Sequence, residues 1–84
     1  MYNVYILRSL RNGKRYIGST AKAVVQRLKE RHQSSNKWTR QNAPFKLIHE
    51  EGYSTAIEAR KRERFLKSGQ GRKWLDENIV EKDD

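Results

Sequence analysis

No cysteine occurs among the 84 residues, which excludes a disulfide framework, a thiolate zinc site and thiol catalysis together, and leaves packing as the source of stability. No apolar stretch approaches the roughly 18 residues of a membrane span, and the chain alternates from Tyr2 onward where a secretory leader would carry an apolar block. The expectation is a soluble, cytoplasmic protein with no membrane partner. Acids are scarce and unevenly placed: Glu30 is the only one in residues 1–49, against eleven Lys and Arg. The formal charge is +9, but residues 1–75 hold eighteen bases and five acids, a net +13. Such a field is a solubility burden unless a polyanion uses it, so a nucleic acid is the partner that the composition favours.

The length suits one small domain. Residues 1–78 are read as that domain and residues 79–84 as an acidic, frayed C-terminal tail. Tyr2-Asn3-Val4-Tyr5-Ile6-Leu7 fits a central strand, with Tyr2, Val4 and Ile6 on one face and Asn3, Tyr5 and Leu7 on the other. Arg11-Asn12-Gly13-Lys14 carries the Asn-Gly hairpin signal, and a turn centred there pairs 9 with 16 and 7 with 18, the partner strand being Arg15 to Gly18. Ser19 or Thr20 then caps a helix over Ala21 to Arg31, with Val24 and Leu28 inward and Arg27 near the buried edge. Residues 33–44 read as a polar, basic loop closing on the single proline, Pro44. Phe45 to Glu51 alternates imperfectly and is taken as a third strand. Ser54 or Thr55 caps a second helix, on which Ala56, Ala59, Glu63 and Leu66 share a face. After Ser68-Gly69, the residues Trp74, Leu75 and Ile79 suggest a short third helix. The order β-β-α-β-α-α makes an α+β domain, a three-stranded antiparallel sheet flanked by helices.

A phosphodiester-cutting site needs an activated water, positive charge for the phosphate and, in most cases, a divalent metal on carboxylate oxygens. Among the few acids, Glu63 is the one expected to face inward on a helix. One carboxylate suits Mg²⁺, which keeps much of its hydration, although an ion pair with Arg27 or another base explains an inward Glu63 equally well. Tyr5 and Tyr16 stand on neighbouring strands; a phenol, whose ordinary pKa is about 10, acts as a base only beside positive charge or a metal, and an aromatic core contact is the plainer reading. An inward Arg27 needs an anion, either a phosphate or Glu63. His32, at the end of a basic helix, is placed to relay a proton or to complement the helix dipole. Lys37, Trp38 and Arg40 in the polar loop suit gripping and stacking on a nucleic acid, or Trp38 pins the loop to the core. Lys67 and Arg72 flank a Gly-containing segment suited to backbone phosphates.

Val4-Tyr5-Ile6, Tyr16-Ile17-Gly18-Ser19-Thr20, Gln26-Arg27-Leu28, His32, the Thr39 segment, Pro44 and the run Ala59 to Lys67 with Glu63 inside it together resemble the GIY-YIG endonuclease superfamily. The likeness covers roughly residues 2–78 and looks closest to small single-domain bacterial members; Phe65 to Arg72 is similar to their C-terminal signature. The resemblance implies a metal-dependent DNA endonuclease that cuts one strand per active site. Tyr5 and Tyr16 would line the site, one of them as general base; Arg27 would hold the scissile phosphate, Glu63 would bind one Mg²⁺ or Mn²⁺, and His32 would assist proton transfer. The first motif reads Asn3-Val4-Tyr5 where the family name has Gly-Ile-Tyr. His32 lies five residues after Arg27, so on a continuous helix Arg31 takes the matching side. Two other readings stand beside the nuclease: a non-catalytic nucleic-acid-binding module, with RNA as an alternative ligand, and an accessory subunit that cuts only with a protein partner.

Overall fold

A computed structural model describes residues 1–33 and 37–79, apart from the Trp38 side chain. The elements are β1 (Tyr2–Ser9), β2 (Arg15–Thr20), α1 (Val24–Gln33), α2 (Lys37–Asn42), β3 (Phe45–Tyr53), α3 (Ala56–Lys67) and α4 (Gly69–Asn78). β1 is the central strand of an antiparallel sheet ordered β2-β1-β3. Its alternation divides the interior in two. Val4 and Ile6 pack with Ala59, Leu66 and Leu75 of α3 and α4 on one face. Tyr5 and Leu7 pack with Val24 and Phe45 on the other, where α1 lies. Each fully buried aliphatic side chain contributes about 2 kcal/mol, which is what fixes the strand's register against both layers.

Three expectations are corrected. The hairpin pairs Leu7 with Tyr16 and Tyr5 with Gly18, two residues away from the register of a tight Asn12-Gly13 turn. The Ser9 hydroxyl accepts from the amides of Arg11 and Asn12, which widens the loop, and only Gly13 takes a positive φ, of 77°. Ser19 and Thr20 remain in the strand instead of capping α1, which starts at Val24. Part of the polar segment, Lys37 to Asn42, is helical and not loop. Its one buried face carries Thr39 and Asn42, and it is tied to the β1–β2 loop: Ser9 Oγ donates to the Asn42 carbonyl at 2.5 Å and Asn12 Nδ2 to Asn42 Oδ1 at 2.7 Å.

The imperfect alternation of the third strand is a bulge. Ile6 pairs with His49 and Leu7 with Leu47, leaving Ile48 extra, so Phe45 and Leu47 join the α1 side while Ile48 joins the α3 side. At the other end, Thr55 Oγ1 caps α3 by accepting from the Glu58 amide at 3.2 Å. Ser68 then serves two helices: its amide and hydroxyl donate to the Phe65 carbonyl, while its Oγ accepts from the Gly71 amide. A Cβ at residue 71 would lie 2.0 Å from the Phe65 carbonyl oxygen, so the close crossing of α3 and α4 requires glycine there. Ile79, the first residue of the expected 79–84 tail, packs against the α3–α4 core, and the rest of that tail lies outside the described residues.

Candidate active site

β2 is an edge strand, so groups from both layers meet along its open side. On the α1 face, Tyr5 is 1% exposed and stands opposite Gly18, where a Cβ would come 2.7 Å from the Tyr5 hydroxyl oxygen and 3.0 Å from the Tyr16 ring. Glycine at 18 therefore makes the space that the Tyr5 phenol occupies. The Tyr5 and Tyr16 rings lie 6.2 Å apart and tilted by 34°. Arg27, from α1, lies beside the Tyr5 phenol and 3.6 Å from Glu30. The phenol oxygen first, then Glu30, holds the guanidinium above its ordinary pKa despite partial burial. Arg31, one turn further, lays its guanidinium 3.9 Å from the Tyr16 ring centroid.

Glu63 comes from the opposite layer. Ser19, which follows Gly18 and so points to the other face, donates its hydroxyl to Glu63 Oε1 at 2.6 Å. Lys67, one turn along α3, donates to Oε2 at 2.7 Å. Burial works against the charged form, but Lys67 and Ser19 outweigh it and hold the carboxyl below its usual range. The base that Glu63 meets is thus Lys67 and not Arg27, whose carboxylate is Glu30. Among the described residues no three His, Cys, Asp or Glu side chains gather as a metal cage. A single half-buried, ionised carboxylate with one oxygen oriented by a hydroxyl does fit Mg²⁺, which uses one or two carboxylates and retains water.

A cleft of about 790 Å³ runs from the β1–β2 loop to the α3–α4 junction, and Tyr16, Lys14, Arg15, Lys67 and Arg72 are among its walls. Arg15 is held there by Asp76 at 2.8 Å. Tyr16 from the α1 group and Lys67 from the Glu63 group thus share one wall.

Of the residues expected to act, the structure gathers Tyr5, Tyr16 and Arg27 on one side of β2 and Glu63 on the other. His32 is turned elsewhere. α1 continues to Gln33, and the His32 Nε2 accepts the Phe45 amide at 2.9 Å while its ring stacks on Phe45 at 5.7 Å. Arg31 takes the side facing the tyrosines. Lys37 and Arg40 are exposed on α2, the Arg40 carbonyl accepting from Arg11, while the expectation for the Trp38 ring falls outside the described residues. Lys67 and Arg72 line the cleft, but the Gly71 amide is taken by Ser68 and is not offered to phosphate. Sequence reasoning missed Ser19 as the hydroxyl that orients Glu63, and the part of Glu30; the side taken by Arg31 on a continuous helix was expected. The missed signals were the inward side of the Tyr16-Ile17-Gly18-Ser19 alternation and the three-residue spacing from Arg27.

A three-stranded antiparallel sheet between helices, with two tyrosines, an arginine and a half-buried glutamate around one edge strand, is an arrangement that suits a nuclease-type domain. The family model described as GIY-YIG catalytic domain matches residues 1–75, and the chain belongs to the GIY-YIG family. No curated protein and no solved structure matches it significantly. Its family is made of endonucleases that are generally divalent-metal dependent, which supports a nuclease-type function for the chain in general. No helix among the described residues is long and apolar enough to cross a membrane.

Proposed function

We propose that the chain is a divalent-metal-dependent endonuclease that hydrolyses one DNA strand at each encounter, with the phosphodiester laid along the open edge of β2. The observation that carries this reading is the convergence on one strand of a phenol–guanidinium group from one layer and an ionised carboxylate from the other. Glu63 is the residue to hold Mg²⁺ or Mn²⁺, and a bound ion would supply positive charge at the phosphate. Arg27 stabilises the charge that develops on the non-bridging oxygens. Tyr16, half-exposed on the cleft wall, can reach a water, whereas Tyr5 is enclosed and positions Arg27. Tyr16 is therefore the general base and Tyr5 its structural counterpart. His32 is left outside this set, since its Nε2 is engaged at the start of β3. Lys67 and Arg72 in the cleft, with Lys37 and Arg40 on α2, supply phosphate contacts, consistent with the net +13 of residues 1–75.

The test is cleavage of supercoiled, branched and single-stranded DNA with Mg²⁺, Mn²⁺ or EDTA. Nicking that requires the metal and disappears in Glu63→Ala is the expected result. Metal-dependent nicking that survives Glu63→Ala would remove Glu63 from the site. Tight, salt-sensitive binding without nicking of any substrate would instead identify a binding module on the same fold.

A further inference from the structure

Lys67 belongs to two groups at once. Its ammonium holds Glu63 Oε2 at 2.7 Å, and the residue lines the basic cleft with Lys14, Arg15 and Arg72. Arg15 is paired with Asp76 at 2.8 Å, and the Lys67 side chain is 54% exposed on a flexible four-carbon stem. An exposed pair of this kind favours the closed arrangement by only about fivefold at most, so a phosphate in the cleft can compete for the ammonium. Ser19 bonds the other oxygen, Oε1, so the carboxylate stays oriented when Oε2 is released.

Resting on the reading of Glu63 as the metal-binding carboxylate, we infer that Lys67 is a gate that nucleic acid opens. In the free protein the ammonium occupies Oε2 and disfavours a divalent ion. When a phosphate of the bound strand enters the cleft, Lys67 turns to it, Oε2 is exposed and the ion binds more tightly. Linkage makes the effect reciprocal: the ion tightens nucleic-acid binding by the same factor. The domain would thereby keep its metal affinity low until substrate is in place.

The experiment titrates Mn²⁺ against the full chain by the loss of its free-ion electron paramagnetic resonance signal, for wild type, Lys67→Met, Glu63→Gln and the double variant. A short phosphorothioate oligonucleotide is then added, with the Glu63→Gln protein as the reference for ions held by the nucleic acid. Without nucleic acid, Lys67→Met should bind Mn²⁺ about two- to fivefold more tightly than wild type, a gain absent from the double variant. The oligonucleotide should raise wild-type affinity by about the same factor and that of Lys67→Met by less than about twofold. Equal Mn²⁺ affinity of Lys67→Met and wild type, with Glu63→Gln weaker, overturns the gate and leaves the metal assignment standing. Undiminished Mn²⁺ binding by Glu63→Gln removes that assignment, and the gate with it.

Discussion

Each edge of the sheet is tied to α3 through a glutamate, Glu51 on β3 and Glu63 on α3 itself, and their surroundings differ in kind. On the β3 edge, Glu51 accepts from Arg62 through two nitrogens, at 2.8 and 3.1 Å, from the Tyr53 hydroxyl at 2.6 Å and bonds His49 at 2.7 Å. Arg62 in turn lies 4.5 Å from the Trp74 ring centroid. On the β2 edge, Glu63 has a hydroxyl on one oxygen and an exposed ammonium on the other. A planar, bidentate guanidinium backed by an aromatic ring locks a carboxylate; a lysine lends it a charge and can leave. The first arrangement fastens β3 to α3 and α4, and the second leaves a carboxylate able to change partners.

The sharpest way to break this contrast is to remove each carboxylate in turn. Glu63→Ala should lower nicking on the order of a thousandfold, about 4 kcal/mol of transition-state stabilisation, with little change in thermal midpoint. Glu51→Ala should do the reverse. It leaves Arg62 half-buried without its carboxylate, at a cost of about 3 kcal/mol in folding, while the folded fraction keeps its activity. Denaturant melts beside nicking assays separate the two outcomes, and a Glu51→Ala protein that folds as well as wild type but cuts poorly would dissolve the distinction.

Acid titration sharpens the same comparison. Burial alone would raise the Glu51 carboxyl, but hydrogen bonds from Arg62, Tyr53 and His49 overcome it and bring the pKa from 4.5 to about 2. A depressed folded-state pKa gives stability that is present above the unfolded value and lost as pH falls from about 4.5 through about 2. The contribution is about 3 kcal/mol, and Glu51→Gln should flatten the fall of unfolding free energy across that window. Glu63 is lowered as well, in the same direction, yet Glu63→Gln should flatten the curve less, because an exposed lysine is its charged partner. Equal flattening by both variants would mean that the two edges hold their carboxylates equally firmly.

Glycine substitutions probe the α1 side of the β2 edge. Gly18→Ala forces a methyl against the Tyr5 hydroxyl, and Tyr5 is enclosed and cannot retreat into solvent. The expected loss is about 2 kcal/mol in stability and about tenfold in nicking, through displacement of the Tyr5–Arg27 pair. Gly69→Ala meets no atom within 4 Å and should be neutral or slightly stabilising in the first turn of α4. Matching melts for the two variants would show that Tyr5 does not fill the space above Gly18.

The strands and α3 were legible because apolar side chains recur at periods of two and 3.6, and both layers read the same pattern; Glu63 was found as the polar member of an otherwise apolar α3 stripe. α2 was not legible, since its residues have no apolar periodicity and its buried face is polar. Thr39 and Asn42 are enclosed, and Asn42 answers to Ser9 and Asn12, some thirty residues away in the chain. The hairpin register failed for a related reason, a Ser9 hydroxyl that rewrites the turn from outside the Asn12-Gly13 pair. Hydrogen bonds between distant polar side chains leave no period to read.

His32 shows how such a bond can change a residue's assignment. Its five-residue spacing from Arg27 brings it near the tyrosines only if the helix ends at Arg31; α1 continues to Gln33, the His32 Nε2 accepts the first amide of β3 and its ring lies on Phe45, so it joins α1 to β3 on the side away from Glu63. His32→Ala should therefore cost about 1 kcal/mol in unfolding free energy and change nicking by less than about threefold. His32→Gln, whose side-chain oxygen can accept the same amide, should recover part of that stability. A loss of nicking beyond a hundredfold in a His32→Ala protein with an unchanged melt would return His32 to the chemistry. It would also mean that α1 rotates on substrate binding, because one helix turned to bring His32 inward must carry Arg31 off the Tyr16 ring.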